Sequence, residues 1–276
     1  MISVWRSVPP SEPVEPRTLS ALKTIVLGHR VSARERSDLL KELTHRSQRL
    51  DPFTVVVGGV TLGGAGKSQA VNHMAEALLL IGAPSIYVLG HGYRSQSKRG
   101  VVRELHSVDR RACITYGDEA VMIHKRLSTL TTDHSAAVLV GGKWRERWEF
   151  ARLSGASLII SDGGLYTSSL PRHLSVTIIP LPSRYSLLPF GDLTRPPHRW
   201  ATGAQCWYWS IRHMSPLLEY DDRQWPIECP SFILHSEIKV QGFIDYRGAL
   251  LTVEELRDRL NSSQVSVICA IAKPQR

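Results

Sequence analysis

The sequence predicts an α/β protein with a mostly parallel sheet flanked by helices. Three observations predict it. A short β-branched run, Phe53 to Val57, leads into a glycine-rich turn and then into an apolar periodic segment opened by Lys67-Ser68. Downstream, short apolar runs alternate with helical patterns, as parallel strands joined by helical crossovers must. One of those runs, Ala156–Ile160, ends in Ser161-Asp162-Gly163-Gly164.

The first element carries the chemistry. Gly58, Gly59, Gly63, Gly64 and Gly66 let successive backbone N–H groups face one anion, and the following helix adds its positive N-terminal end. This strand–loop–helix is a P-loop, and the fold class is P-loop NTPase-like. Thr61, Gly63, Gly64, Ala65, Gly66, Lys67 and Ser68 form the candidate ATP cradle. Lys67 would reach the β- and γ-phosphates, and the Ser68 hydroxyl would ligate Mg²⁺. Thr61 stands where the usual pattern begins with glycine.

The chain has 276 residues, 42% of them hydrophobic and 21% charged, which is ordinary for a globular protein with a real core. The net charge of +9 favours an anionic partner: a nucleotide, a nucleic acid or an acidic membrane surface. No basic-aromatic RNA motif concentrates that charge, so nucleic acid is not expected. Cys113, Cys206, Cys229 and Cys269 are scattered without a C-x-x-C pair, which argues against a zinc site or a disulfide framework. No apolar run reaches membrane-spanning length. Pro9, Pro10, Glu12, Pro13, Glu15 and Pro16 replace an apolar signal core, so secretion is not expected.

In chain order, residues 1–16 read as a disordered lead-in and 17–49 as a basic amphipathic helical segment. Leu19, Leu22, Ile25 and Val26 share a face, and Lys23, Arg30, Arg34, Arg36, Lys41, Arg46 and Arg49 supply charge. Such a segment lies on an anionic membrane or packs on the domain with a solvated basic face; pattern alone favours packing. Residues 50–215 read as the P-loop core. Ser85–Leu89 is a strand followed by Gly90-His91-Gly92-Tyr93-Arg94, at the edge where open α/β sheets hold ligands. Val101–Leu105 reads as a strand. Asp118 and Glu119 open a helix, where acids also serve as caps. Ala136–Val140 is a strand and Trp144 to Leu153 a helix. Asp162, at a strand end opposite the phosphate loop, is a candidate Mg²⁺ ligand or a turn-forming Asp before glycine. Val176–Pro180 is a strand, and Leu187 to Pro197 a proline-punctuated loop. Trp207–Ile211 reads as a further strand of that core. Residues 216–276 read as linker strands and the start of a truncated C-terminal lobe: Phe232–Val240 as a strand, Thr252–Leu260 as a helix, and Val265–Ile271 as a last strand.

These motifs, in order, resemble the tetraacyldisaccharide 4'-kinases of lipid A biosynthesis. The family's Gly-Asn-x-Thr-Val-Gly-Gly-Thr-Gly-Lys-Thr is similar to Gly58–Ser68, with Thr61 in family style and Gly59 for Asn. Its Ser-Arg-Gly-Tyr resembles Gly90–Tyr93, its Gly-Asp-Glu matches Gly117-Asp118-Glu119, and its Asp-Arg resembles Trp144-Arg145. Its Asp-Asp-Gly-Phe/Leu-Gln-His resembles Asp162–Thr167, and its Leu-Leu-Pro-Ala-Gly-Pro-Leu-Arg-Glu-Pro resembles Leu187–Pro196. Its Ala-Gly-Ile-Gly-Asn-Pro-Glu-Arg resembles Cys269–Arg276.

The resemblance implies γ-phosphate transfer from ATP to the 4'-hydroxyl of an acylated glucosamine disaccharide 1-phosphate. It implies Asp118 as base, Lys67 as phosphate ligand, and Ser68, Asp162 and Glu119 about the metal. A lipid substrate implies a peripheral membrane position, on the cytoplasmic face of the inner membrane in a bacterium or in an organelle of a eukaryote. It also shifts the reading of residues 17–49 toward the membrane. The departures imply weakened catalysis or a nucleotide-binding module: Gly163 for the second Asp, Tyr166-Thr167 for Gln-His, Thr194-Arg195 for Arg-Glu, and an end before the family's Phe-Pro-Asp-His.

Overall fold

The computed structural model describes residues 32–61, 65–92, 95–96, 101–106, 108–130, 136–181, 187–188, 193–194 and 250–260, with the strands Ser3–Val8, Cys206–Arg212, Ile233–Ile238 and Phe243–Ile244. In chain order the elements are β1 (Ser3–Val8), α1 (Ala33–Gln48), β2 (Phe53–Gly59), α2 (Lys67–Leu80), β3 (Ile86–Leu89), β4 (Arg103–Glu104), α3 (Ala112–Tyr116), α4 (Asp118–Ser128), β5 (Ala136–Val140), α5 (Trp144–Leu153), β6 (Leu158–Asp162), β7 (Leu174–Leu181), β8 (Cys206–Arg212), β9 (Ile233–Ile238), β10 (Phe243–Ile244), β11 (Leu250–Leu251) and α6 (Val253–Leu260).

Among the described residues, nine strands form one sheet in the order β1-β9-β8-β7-β2-β6-β3-β5-β4. From β9 to β5 every pairing is parallel; β1 and β4 close the two edges antiparallel. The phosphate-loop strand β2 sits between β6 and β7, in register Val57 to Asp162 on one side and Val57 to Val176 on the other. Its apolar run reflects burial on both faces, as a central parallel strand requires. Val55 and Val57 join a cluster with Val71, Met74 and Leu78 of α2 and Ile123 and Leu127 of α4. Val56 joins the second cluster, with Trp148 and Ala151 of α5 and Leu165. Period-two alternation along β2 thus divides its valines between two layers of helix.

Helix α1 commits its apolar side to the first cluster. Leu43 is 1% exposed, with Leu39 and Leu40 beside it. Arg36 Nε donates to the Ile81 carbonyl at 3.1 Å, and Ser47 Oγ donates to the Gly155 carbonyl at 2.5 Å. This is helix-on-domain packing with a solvated basic side. The face of Leu19, Leu22, Ile25 and Val26 lies outside the described residues. Among the described residues no helix is long and apolar enough to cross a membrane.

Two boundaries differ from the sequence reading. Ser3–Val8, assigned to a disordered lead-in, form β1 against β9, because the β-formers Val4, Trp5 and Val8 precede the proline-rich stretch. β9 lies beyond residue 215 yet belongs to the main sheet, so the sheet does not end at that boundary. Val101–Leu105 shrinks to the two-residue edge strand β4, and α3 was not foreseen. The expected strand Val265–Ile271 lies outside the described residues.

Candidate functional site

The parallel strands β2, β3, β5 and β6 point their C-terminal ends to one edge, where open α/β sheets hold ligands. There β2 leads into the phosphate loop. Thr61 is 3% exposed and bridges Leu193, while Thr194 donates both its N–H and its Oγ1–H to the Val60 carbonyl, each at 2.9 Å. The proline-punctuated segment is thereby stapled to the start of the loop. Thr61 Oγ1 is buried, with no hydrogen-bond partner among the described residues. Gly63 and Gly64 lie outside the described residues. Ala65 is buried, and Gly66 takes the left-handed conformation at φ 89°, which glycine adopts without steric cost, and starts α2. The Lys67 stem lies back over Gly59, whose missing Cβ would stand 3.2 Å from Lys67 Cδ.

Ser68 Oγ donates to Asp162 Oδ2 at 2.7 Å. The residues are far apart in sequence; the parallel pairing of β2 and β6 brings them together. Asp162 is 2% exposed, and burial pushes its carboxyl above the ordinary range, against the Ser68 hydrogen bond and the Lys67 charge. Gly117, at φ 95°, turns the chain into α4, whose first turn presents Asp118 and Glu119. Asp118 is exposed, and its Oδ1 accepts from the Glu119 N–H at 3.0 Å. Glu119 is likewise exposed; its pKa is raised first by partly lost hydration of its carboxyl and then by the charge of Asp162, with Lys67, Asp118 and His91 also acting on it. Glu119, Asp162 and Lys67 therefore share one electrostatic neighbourhood, with Asp118 at its rim. Arg126 and Glu76 pair at 2.5 Å, linking α4 to the helix that carries Ser68.

The site also contains residues that sequence reasoning did not select. His91 follows β3, and its pKa is lowered, first by lost hydration and also by Arg147 and Lys67, against Glu119. Its ring meets Trp144 edge-on at 6.0 Å. Trp144 opens α5, where the Lys143 N–H donates to Glu146 Oε2 at 2.8 Å as a helix cap. The available signal was position: both residues follow parallel strands at the ligand-bearing edge.

The residues suit Mg–ATP. The buried Thr61 hydroxyl, the left-handed Gly66 and the Ser68–Asp162 contact form a polar cradle at a helix N-terminus. Among the described residues no group of three or more His, Cys, Asp or Glu side chains could hold a metal alone. Mg²⁺ at a nucleotide takes only one or two protein carboxylates, with phosphate and water completing its shell, so this donor set fits.

Comparison with known proteins agrees with this architecture. The family model described as tetraacyldisaccharide-1-P 4'-kinase matches residues 19–276. The tetraacyldisaccharide 4'-kinase of Nitrobacter winogradskyi is 31% identical over 139 residues, covering 50% of this chain and 37% of that protein. That of Syntrophus aciditrophicus is 28% identical over 201 residues, covering 71% and 52%. That of Shewanella loihica is 30% identical over 164 residues, covering 57% and 44%. The chain thus spans about half the length of these relatives or less. A crystal structure of LpxK from Aquifex aeolicus in complex with ATP shares the fold, at a TM-score of 0.50 and 17% identity, over 88% of this chain and 72% of that one. With its phosphate loop, its strand-end aspartate and a family match over most of its length, the chain belongs to the tetraacyldisaccharide 4'-kinase family.

Proposed function

We propose that the protein transfers the γ-phosphate of ATP to the 4'-hydroxyl of a tetraacylated glucosamine disaccharide 1-phosphate, the lipid A precursor. The observation that carries this reading is the Ser68–Asp162 hydrogen bond across the mouth of the phosphate loop. It unites the hydroxyl and the carboxylate that a nucleotide-bound Mg²⁺ requires, at the end of the strand preceding Lys67.

Each residue has a role in this reading. Gly66 and the first turn of α2 turn backbone N–H groups toward phosphate, and Lys67 adds a mobile cation. Ser68 and Asp162 would hold the metal, which when bound would neutralise phosphate charge. Asp118 takes the proton of the acceptor hydroxyl as that oxygen bonds to the γ-phosphorus and the bond to the ADP oxygen breaks. One Asp118 oxygen already accepts from the Glu119 N–H, which leaves the other for the proton. Glu119 carries negative charge beside Asp162 and Lys67 and supports the site. Positioning and charge neutralisation supply most of the rate in such transfers.

The acceptor is a lipid, so the protein is read as peripheral to a membrane. In a bacterium this is the cytoplasmic face of the inner membrane; in a eukaryote it is an organelle. The net charge of +9 supports attraction to anionic headgroups. Salt-sensitive binding to anionic liposomes, with none to RNA, is the expected behaviour.

The deciding experiment is γ-phosphate transfer from labelled ATP to tetraacyldisaccharide 1-phosphate in detergent micelles. Transfer by the natural sequence, lost in both Lys67→Ala and Asp118→Ala, is the expected result. Lys67-dependent Mg–ATP binding without transfer would overturn it and make the protein a nucleotide-binding module. Gly163, in place of the family's second acid, specifically favours that second reading.

A further inference from the structure

Asp162 is followed by a turn whose backbone conformation favours glycine. Gly163 has φ +113° and Gly164 φ +84°. A Cβ on Gly163 would lie 3.3 Å from His91 Cδ2 and 3.3 and 3.4 Å from Trp144 Cζ2 and Cη2. A Cβ on Gly164 would lie 3.4 and 3.5 Å from Trp144 Cε2 and Cδ2. The turn thus packs its bare backbone against the indole. Strand partners pin it in place: the Gly163 N–H donates to the Val57 carbonyl at 2.8 Å, and Ser161 Oγ donates to the Gly163 carbonyl at 2.8 Å.

The indole is itself held. The Arg147 guanidinium lies 4.1 Å from the Trp144 ring centroid and is 4% exposed. Its Nη1 donates to the Gly141 carbonyl at 2.9 Å, while its Nε has no hydrogen-bond partner among the described residues. The ring face attracts this buried cation, together with the Gly141 carbonyl and the charge of Glu146. His91 closes the other approach edge-on.

These contacts unite three departures from the family motifs. His91 stands for Arg, Trp144 for Asp, and Gly163 for the second Asp. They follow three different strands, β3, β5 and β6, and meet at one point beside Asp162. An acid at 163 alone would enter occupied space in a backbone conformation that disfavours side chains.

Resting on the metal–nucleotide reading above, we propose that Trp144 is a positioning residue for Asp162. Its indole, clamped by Arg147, fills the volume of a second carboxylate and fixes the Asp162–Gly163–Gly164 turn, with His91, Trp144 and Gly163 acting as one interdependent unit. The site is accordingly built to work with a single carboxylate from β6.

The test is Mn²⁺ binding in the presence of ATP, read by electron paramagnetic resonance, alongside the melting temperature of each variant. Groups that orient a metal ligand change metal affinity by about 10- to 100-fold when removed. Trp144→Ala is expected to weaken Mn²⁺ binding about tenfold. Trp144→Phe, which keeps an aromatic wedge, should retain affinity within about threefold, as a loss under about 0.7 kcal/mol corresponds. Gly163→Asp alone should weaken binding and lower the melting temperature. The triple variant His91→Arg, Trp144→Asp, Gly163→Asp should recover Mn²⁺ affinity over Gly163→Asp alone, since side chains in contact are non-additive, and recover the melting temperature only in part, because the φ of +113° still strains a side chain at 163.

Three results would overturn the proposal: Gly163→Asp tolerated without change, a triple variant no better than the sum of its parts, or Trp144→Ala that melts earlier with unchanged Mn²⁺ affinity. A natural-sequence protein that binds no Mn²⁺ with ATP would defeat the phosphoryl-transfer reading and this one together. The other three results leave the phosphoryl-transfer reading standing.

Discussion

Asp162→Asn should make the nucleotide-free protein more stable while disabling it. Asp162 is 2% exposed and accepts a hydrogen bond from Ser68 at 2.7 Å. Burial outweighs that bond and the Lys67 charge, so the folded carboxyl holds its proton more tightly than the unfolded one. In the window between the two pKa values the folded chain binds more protons, so stability falls as pH rises through it. Above the folded pKa the penalty is complete. Each tenfold difference in proton affinity between folded and unfolded chains is worth about 1.4 kcal/mol.

Asn keeps an oxygen for Ser68 and removes the buried charge. It also relieves Glu119, which the charge of Asp162 pushes up. The assay is thermal unfolding across pH, with and without Mg–ATP. Without ligand the variant should melt above the natural sequence at alkaline pH, by about 2–4 °C for each kcal/mol, and match it at acid pH. With Mg–ATP at about 100 times its Kd, the natural sequence should gain about 2.7 kcal/mol, and the variant little of it. A variant that melts earlier than the natural sequence at alkaline pH, or gains as much from Mg–ATP, would refute the reasoning.

Other expectations follow from single contacts. Leu43→Ala should cost about 2–5 kcal/mol in urea unfolding, because a fully buried anchor of α1 is replaced by a cavity. Thr54→Val should cost about 1–3 kcal/mol in the same measurement, since Trp148 Nε1, which donates to Thr54 Oγ1 at 3.0 Å, would lose its buried acceptor. Gly66→Ala should cost about 1–2 kcal/mol through its φ of 89° and weaken nucleotide binding, measured by calorimetric titration.

Much of the site was legible because its signals are local. The strand, glycine turn, Lys67-Ser68 and helix are contiguous, and Asp162 announces itself at the end of an apolar run. Parallel pairing then follows from alternation, and with it the meeting of Ser68 and Asp162. What stayed hidden is tertiary. β1 finds its partner in β9 at the far end of the chain, so its short run of β-formers beside prolines gave no local sign of a sheet edge. His91, Trp144 and Gly163 read as three unrelated departures until the structure put them in contact. For α1 the pattern favoured packing on the domain and the resemblance shifted the reading toward the membrane; the burial of Leu43 is a fact no helical wheel contains.

The central place of β2 also bears on how the chain is made. Both strands that enclose it come later: β6 begins at Leu158 and β7 at Leu174, about a hundred residues after Gly59. At about 5–20 residues per second, a ribosome leaves the run Phe53–Val57 without partners for about 5–20 s. A bare β-branched segment is a hazard for association between nascent chains. Asp51 and Pro52 directly before it are suited as gatekeepers against such pairing. The strand that carries the nucleotide loop in the finished protein is therefore, during synthesis, a segment on which chaperone binding would be concentrated.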